Sequence, residues 1–111
     1  MFPAIGLIEV SSIARGMVVS DGCVKKAPVK LLESRPISPG RYITLFWGEV
    51  AEVDEAYREG IELAGDTLVD KLFLSGAHEG LLDTLVGLAR APGVDSLGII
   101  ETFSVASTLL S

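Results

Sequence analysis

AIGLIEVSSIA, residues 4–14, sets the organisation of this chain. Its first seven residues form an apolar run with β-branched side chains, which is typical of a buried β-strand. Ser11 and Ser12 follow, and their hydroxyl groups suit the start of a helix. The pattern therefore predicts a buried strand over residues 4–10 and a helix that follows it directly.

The same stretch recurs later in the chain as SLGIIETFSVA, residues 96–106. Chance similarity between two apolar strands is the simpler explanation, but the identities continue into the start of the helix. A repeat at a spacing of about one domain predicts a tandem-domain protein that stops early in its second copy. The identical pairs are Gly6 and Gly98, Ile8 and Ile100, Glu9 and Glu101, Ser12 and Ser104, and Ala14 and Ala106.

Strand and helix patterns fill the chain between the two copies. Residues 29–37 and 41–47 read as strands, and the Ser38-Pro39-Gly40 turn between them predicts a hairpin. Residues 49–64 form the clearest helix, with one apolar face and acidic first turns, and Gly65 is its natural stop.

The remaining elements complete a ferredoxin-like pattern. The first helix ends at Pro28, residues 68–74 form another strand, and residues 81–89 form a short helix. Gly16 and Gly22 weaken the first helix by roughly 1 kcal/mol each, which indicates tight packing there. The order β-α-β-β-α-β followed by a helix predicts an α+β, ferredoxin-like fold.

Composition narrows the class of function. The 111 residues fit one domain, 49% of them are hydrophobic, and the mean hydropathy is +0.48. No apolar run reaches the length of a membrane span, and the first residues lack a secretory pattern, so no membrane partner is expected. The net charge of −6 argues against nucleic acid as a partner. The remaining way to remove this apolar surface from water is to bury it against other subunits, so self-association is expected.

Residues suited to catalysis or metal binding are scarce. His78 is the only histidine; Glu79 follows it, but no second histidine completes a metal motif. Glu9 and Glu101 could serve as paired carboxylates, but they are equivalent positions of the repeat, which favours a shared structural role. No phosphate-binding glycine loop is present. We therefore expect neither an enzyme nor a metal site.

Three segments, taken in order, resemble the bacterial microcompartment (BMC) shell domain. They are residues 4–9 (AIGLIE), residues 21–27 (DGCVKKA) and residues 48–50 (GEV). The Ser38-Pro39-Gly40 loop and residues 64–70 look closest to the tandem-domain branch of the propanediol-utilisation type, whose members form trimers shaped like hexamers. The resemblance implies a structural shell protein with the α+β BMC fold.

The same resemblance implies a division of the chain. It predicts a shell domain over residues 1–92 and, over residues 93–111, the start of a second repeat or a C-terminal tail. Residues 96–111 either replace the first strand of an adjacent subunit, or they pack loosely on their own domain or are disordered as part of a truncated product.

In this family, rings of six domain positions tile edge to edge, and the loop between the second and third strands surrounds a central pore. The resemblance therefore implies a pore loop of Ile37, Ser38, Pro39, Gly40 and Arg41. A ring of Arg41 side chains would favour small anionic metabolites, unless Arg41 turns away to pair with an acidic neighbour. A turn that only closes a hairpin would also use Pro-Gly.

The resemblance also implies residues at the contact between tiles. Lys25 corresponds to the family's edge lysine, although any exposed helical lysine would look similar. His78 lies near a second edge position, where many single-domain members have arginine.

No cofactor is expected. One member of the tandem branch holds an iron–sulfur cluster through a cysteine where this chain has Ser38, and a hydroxyl is a poor ligand for that iron. Cys23, the single cysteine, is interpreted as a small buried hydrophobic residue, and a lone cysteine agrees with a reducing cytosol.

The resemblance thus implies a self-assembling shell tile in a cytoplasmic microcompartment. The expected partners are further copies in a cyclic hexamer or trimer-like ring, other shell proteins and encapsulated enzymes. The alternative is a small ferredoxin-like regulator that binds a metabolite between the subunits of a ring.

Overall fold

A computed structural model describes residues 4–75 and residue 87. Its four strands form one antiparallel sheet in the order β2-β3-β1-β4, with two helices packed on it. This is the α+β, ferredoxin-like arrangement that the sequence predicts. The elements are β1 Ala4–Val10, α1 Ile13–Lys26, β2 Lys30–Ile37, β3 Arg41–Gly48, α2 Val50–Ala64 and β4 Leu68–Leu74, with a short 3₁₀ turn Gly65–Thr67 before β4.

Strand β1 is the buried strand that its apolar run predicts, and every one of its residues is buried. It pairs with β3 on one side and β4 on the other, so it has no free edge. Ala4, Ile8 and Val10 belong to the core beneath the helices. Ile5 and Leu7 alternate with them and are buried on the opposite face.

Helix α1 begins where the two serines predict. The side-chain oxygen of Ser12 accepts a hydrogen bond from the backbone N–H of Arg15 at 3.1 Å, which caps the first turn. The helix ends at Lys26, immediately before Ala27 and Pro28. Two lysines in the last turn suit the negative end of the helix dipole.

Glycines allow the helices to approach the rest of the domain closely. A methyl group added at Gly16 would overlap the ring of Tyr42 in β3. One added at Gly60 would overlap the side chains of Ile8 and Cys23. The tight packing that Gly16 indicates is therefore present, and Gly60 in α2 marks a second close approach.

A cluster of four hydroxyl groups joins α1 to the hairpin. Ser20 in α1 lies 2.8 Å from the Ser34 hydroxyl and 2.6 Å from that of Thr44. Ser34 also shares a hydrogen bond with Tyr42 at 2.5 Å. Because Ser20, Tyr42 and Thr44 are buried, these hydrogen bonds satisfy polar groups that would otherwise destabilise the core.

Of the short helix predicted over residues 81–89 the structure describes only residue 87, which is helical, and the second copy of the first strand over residues 96–106 lies outside the described residues. Within the described part of the chain, no helix is both long and apolar enough to cross a membrane.

Candidate functional site

The first part of the candidate site is the turn between β2 and β3. Ile37 and Arg41 form the last cross-strand pair of the hairpin, and the three residues between them are all exposed. Gly40 has a φ of +66°, a backbone conformation that favours glycine, and the Ser38–Pro39 peptide bond is cis. The five predicted pore-loop residues are therefore one compact unit at the end of the hairpin.

Arg41 is fixed to the sheet by an ion pair. Its Nη1 donates a hydrogen bond to Oε2 of Glu9 in β1 at 2.9 Å. The Glu9 side chain is only 2% exposed, whereas that of Arg41 is 45% exposed. A buried carboxylate needs a charged or hydrogen-bonding partner, so Arg41 compensates the charge of Glu9.

Further charges lie on the same face of the sheet. Cross-strand pairing aligns Glu9 with Asp70 in β4 and, through β3, with Arg35 in β2. The Arg35 Nε atom lies 3.7 Å from Oε1 of Glu33. Among the described residues, two arginines and three carboxylates therefore lie on this face towards the end of the sheet that carries the turn.

Lys25 lies at the other end of the domain from the turn. Helix α1 starts beside the β3 residues that follow the turn, since Gly16 packs on Tyr42, and then runs antiparallel to β1. Its 14 residues span about 20 Å. The candidate pore loop and the candidate edge lysine are thus separated by nearly the length of the helix.

The Lys25 side chain is exposed and has a weak ion pair within its own helix. Its ammonium group lies 2.8 Å from Oδ2 of Asp21, four residues earlier, and the lysine side chain is 74% exposed. Pairs of this kind contribute about 0.3–0.5 kcal/mol. Lys25 is therefore available for a contact with another molecule and contributes little to folding.

Cys23 is a buried residue of the core, as the sequence predicts. Its thiol donates to the backbone carbonyl oxygen of Ala56 at 3.3 Å. Burial, together with a smaller effect of the Glu59 carboxylate, raises its pKa from 9.0 to about 12. A thiol with this pKa stays protonated and unreactive at neutral pH.

Helix α1 also carries exposed apolar side chains. The most exposed is Met17, at 59%. The others are Ile13, Val18 and Val24. Single exposed apolar residues are common, but four on one helix of 14 residues make this helix the one with the more apolar exposed surface of the two described helices.

His78, the second predicted edge residue, lies outside the described residues. In residues 4–75 no group of three or more histidine, cysteine, aspartate or glutamate side chains is arranged to hold a metal ion.

Sequence reasoning left the orientation of Arg41 open and did not identify its partner. The structure places Arg41 on Glu9, 32 residues away in the sequence. A signal was present: Glu9 is an acidic residue in an otherwise apolar strand, and a buried carboxylate there requires a cation nearby.

Fold and turn geometry together define a four-stranded BMC shell domain. Residues 4–76 match the family described as "BMC domain", so the chain belongs to the BMC-domain family of bacterial microcompartment shell proteins. That family is structural rather than enzymatic, and its members are located in microcompartments within the bacterial cytoplasm.

Two relatives place the chain more closely. It is 41% identical over 109 residues to the bacterial microcompartment shell protein PduT of Citrobacter freundii, covering 98% of this chain and 59% of that protein. It is also similar to the crystal structure of a microcompartment protein from Desulfitobacterium hafniense DCB, with 37% identity and a TM-score of 0.74, over 85% of this chain and 52% of that one. The chain thus spans little more than half the length of either relative.

Proposed function

We propose that this chain is a tile of a microcompartment shell that joins a ring of six domain positions around a pore for small metabolites. Shell membership follows from the family; the ring, the pore and the tiling are the proposal. Further copies of the chain, other shell proteins and encapsulated enzymes are its proposed partners.

The separation of the turn and Lys25 carries this proposal. A ring subunit needs one end at the axis and another at the rim, where it meets the next tile. The exposed turn, residues 38–40, and the exposed Lys25 lie at opposite ends of the domain. With the turn at the axis, Lys25 points towards the rim, where its long stem can pack on a neighbouring tile.

The apolar surface of α1 supports ring formation. Burial of Met17 and its exposed neighbours between copies would remove apolar area from water at roughly 25 cal/mol per Å². Closed rings bury a repeated surface of this kind without leaving free ends.

No iron–sulfur cluster is part of the proposed function. The turn presents the hydroxyl of Ser38, and Cys23 is buried in the core on the helix side of the sheet. Neither side chain offers an exposed thiolate at the turn.

Cross-linking tests the position of the turn. We expect Ser38→Cys to join adjacent copies in pairs through a short thiol-specific cross-linker, giving covalent dimers, because each copy then offers one reactive thiol. Buried Cys23 makes the wild-type chain a control that does not react.

Lys25→Cys is the matched control for position. Its cysteine would lie at the rim, so isolated rings should give no covalent dimer. Covalent dimers from Lys25→Cys but none from Ser38→Cys would contradict the proposed orientation, and a stable monomer at micromolar concentration would contradict the ring.

A further inference from the structure

We propose that Glu9 determines the ion preference of the pore, because it cancels the charge of Arg41 beside the turn and leaves a pore suited to small uncharged polar metabolites. This inference rests on the proposed function, since it assumes that the turn lies at the axis. It identifies a buried residue outside the pore loop as a determinant of what the pore passes.

The contact between Glu9 and Arg41 carries the first step. The two side chains are joined at 2.9 Å, and Arg41 directly follows the exposed turn. Charge-assisted hydrogen bonds of this kind are about twice as strong as neutral ones. The guanidinium group is therefore held against the end of β1, where a fixed negative charge accompanies its positive one.

The second step concerns the distance over which the charges of Arg41 and Glu9 act on a passing ion. The Debye length is about 8 Å at physiological ionic strength, so two charges joined at 2.9 Å act on a passing ion as a pair. A pore ringed by free arginines would attract anions strongly, whereas a ring of Arg41–Glu9 pairs has almost no net charge.

The other charged groups on this face do not restore a positive field. Arg35 lies near Glu33 at 3.7 Å, and Asp70 stands opposite Glu9 on β4. Lys30 lies over the Trp47 ring at the other end of β2, so among the described residues the cations and carboxylates of this face are equal in number. Ser38 and the backbone of the turn are then the groups that meet a passing solute, and they offer hydrogen bonds to uncharged polar molecules.

Glu9→Gln separates charge from shape. Glutamine has nearly the same size and keeps a carbonyl oxygen that accepts from Arg41, but it removes one negative charge at each domain position. With wild-type and variant rings in planar lipid bilayers under a KCl gradient, we expect the chloride-to-potassium permeability ratio to rise about threefold or more.

Two further variants complete the comparison. Arg41→Gln should lower the permeability ratio, because it removes the positive charge of the pair. The double variant should return the ratio close to the wild-type value, because it removes both charges. Glu55→Gln is the control: it removes one negative charge from an exposed position of α2, away from the turn, and should leave the ratio unchanged.

The outcomes distinguish this inference from the proposed function. A wild-type chain that forms no ring overturns both. A conducting wild-type ring whose Glu9→Gln variant keeps the wild-type ratio overturns the inference alone. If Glu9→Gln does not assemble, the wild-type ring alone tests the inference. A chloride-to-potassium permeability ratio near one supports the charge balance, and a strong chloride preference contradicts it.

Discussion

Burial and pairing determine the chemistry of several single residues in this domain. Glu9 is a carboxylate inside a sheet, Arg41 is its counter-ion beside an exposed turn, and Cys23 is a thiol in a hydrophobic core. The ion pair with Arg41 compensates the charge of Glu9 inside the sheet, and burial raises the pKa of the Cys23 thiol.

Alkaline pH should destabilise the domain through Cys23. Its pKa is about 12 in the folded state against 9.0 for an ordinary thiol, so above about pH 9 the unfolded chain releases this proton first. Stability from this group is complete below pH 9 and declines as pH rises towards 12, by at most about 1.4 kcal/mol per pH unit.

Urea denaturation at several pH values measures this effect. We expect the free energy of unfolding of the wild type to fall, relative to Cys23→Ala, as pH rises from about 9 to about 10.5. Tyr57, whose pKa is also raised, chiefly by burial, is common to both proteins and cancels in the difference. If the free energies of unfolding of the two proteins changed in parallel with pH, the fold would not raise the pKa of the Cys23 thiol.

At the scale of helices and strands, the domain depends on close contacts between α1, α2 and the sheet. Gly60 lies where α2 crosses Ile8 of β1 and Cys23 of α1. Both of those side chains are fully buried, so neither has room to move aside for a larger residue.

Gly60→Ala should therefore destabilise the domain although alanine is the better helix former. Overpacking costs about 1–3 kcal/mol, and the gain in helix propensity returns about 1 kcal/mol. We expect the free energy of unfolding, measured by chemical denaturation, to fall by up to about 2 kcal/mol.

Gly22→Ala is the matched control on α1. Its added methyl group would meet only the end of the Leu63 side chain, which is partly exposed and can rotate. The change should be neutral or slightly stabilising. Equal losses for the two variants would show that Gly60 does not mark a special contact.

The strands and helices themselves were predictable because each has a local pattern. The apolar run of residues 4–10, the cap at Ser12 and the Pro-Gly turn each determine structure within a few residues. Lys25 and Ser38 could be assigned roles only by resemblance; both side chains are exposed, and the roles stay predictions.

Contacts between distant residues could not be predicted in the same way. The Arg41–Glu9 pair and the hydroxyl cluster around Ser20 join residues from separate elements, and one sequence contains no local sign of which groups meet. A shift in pairing near Leu31 in β2 is likewise a property of the assembled sheet. These are the features that the structure adds to the candidate site.

At the scale of the whole molecule, the domain has two distinct ends, as the proposed ring subunit requires. One end carries the exposed turn with Arg41 paired to Glu9, the other carries Lys25, and α1 between them exposes apolar side chains. The start of a second repeat or C-terminal tail that the sequence predicts over residues 93–111 lies outside the described residues, and the proposed ring can be completed by six copies or by three longer chains with two domains.

The central claim is that this chain is a shell tile, and electron microscopy of the concentrated protein tests it most directly. We expect flat layers or tubes with hexagonal packing of rings from the wild type, and isolated rings of unchanged melting temperature from Lys25→Ala, because Lys25 acts between tiles and not within the fold. Discrete small oligomers from the wild type at every concentration would contradict the account and favour a ring-forming regulator, and layers from Lys25→Ala equal to those of the wild type would remove Lys25 from the tile contact.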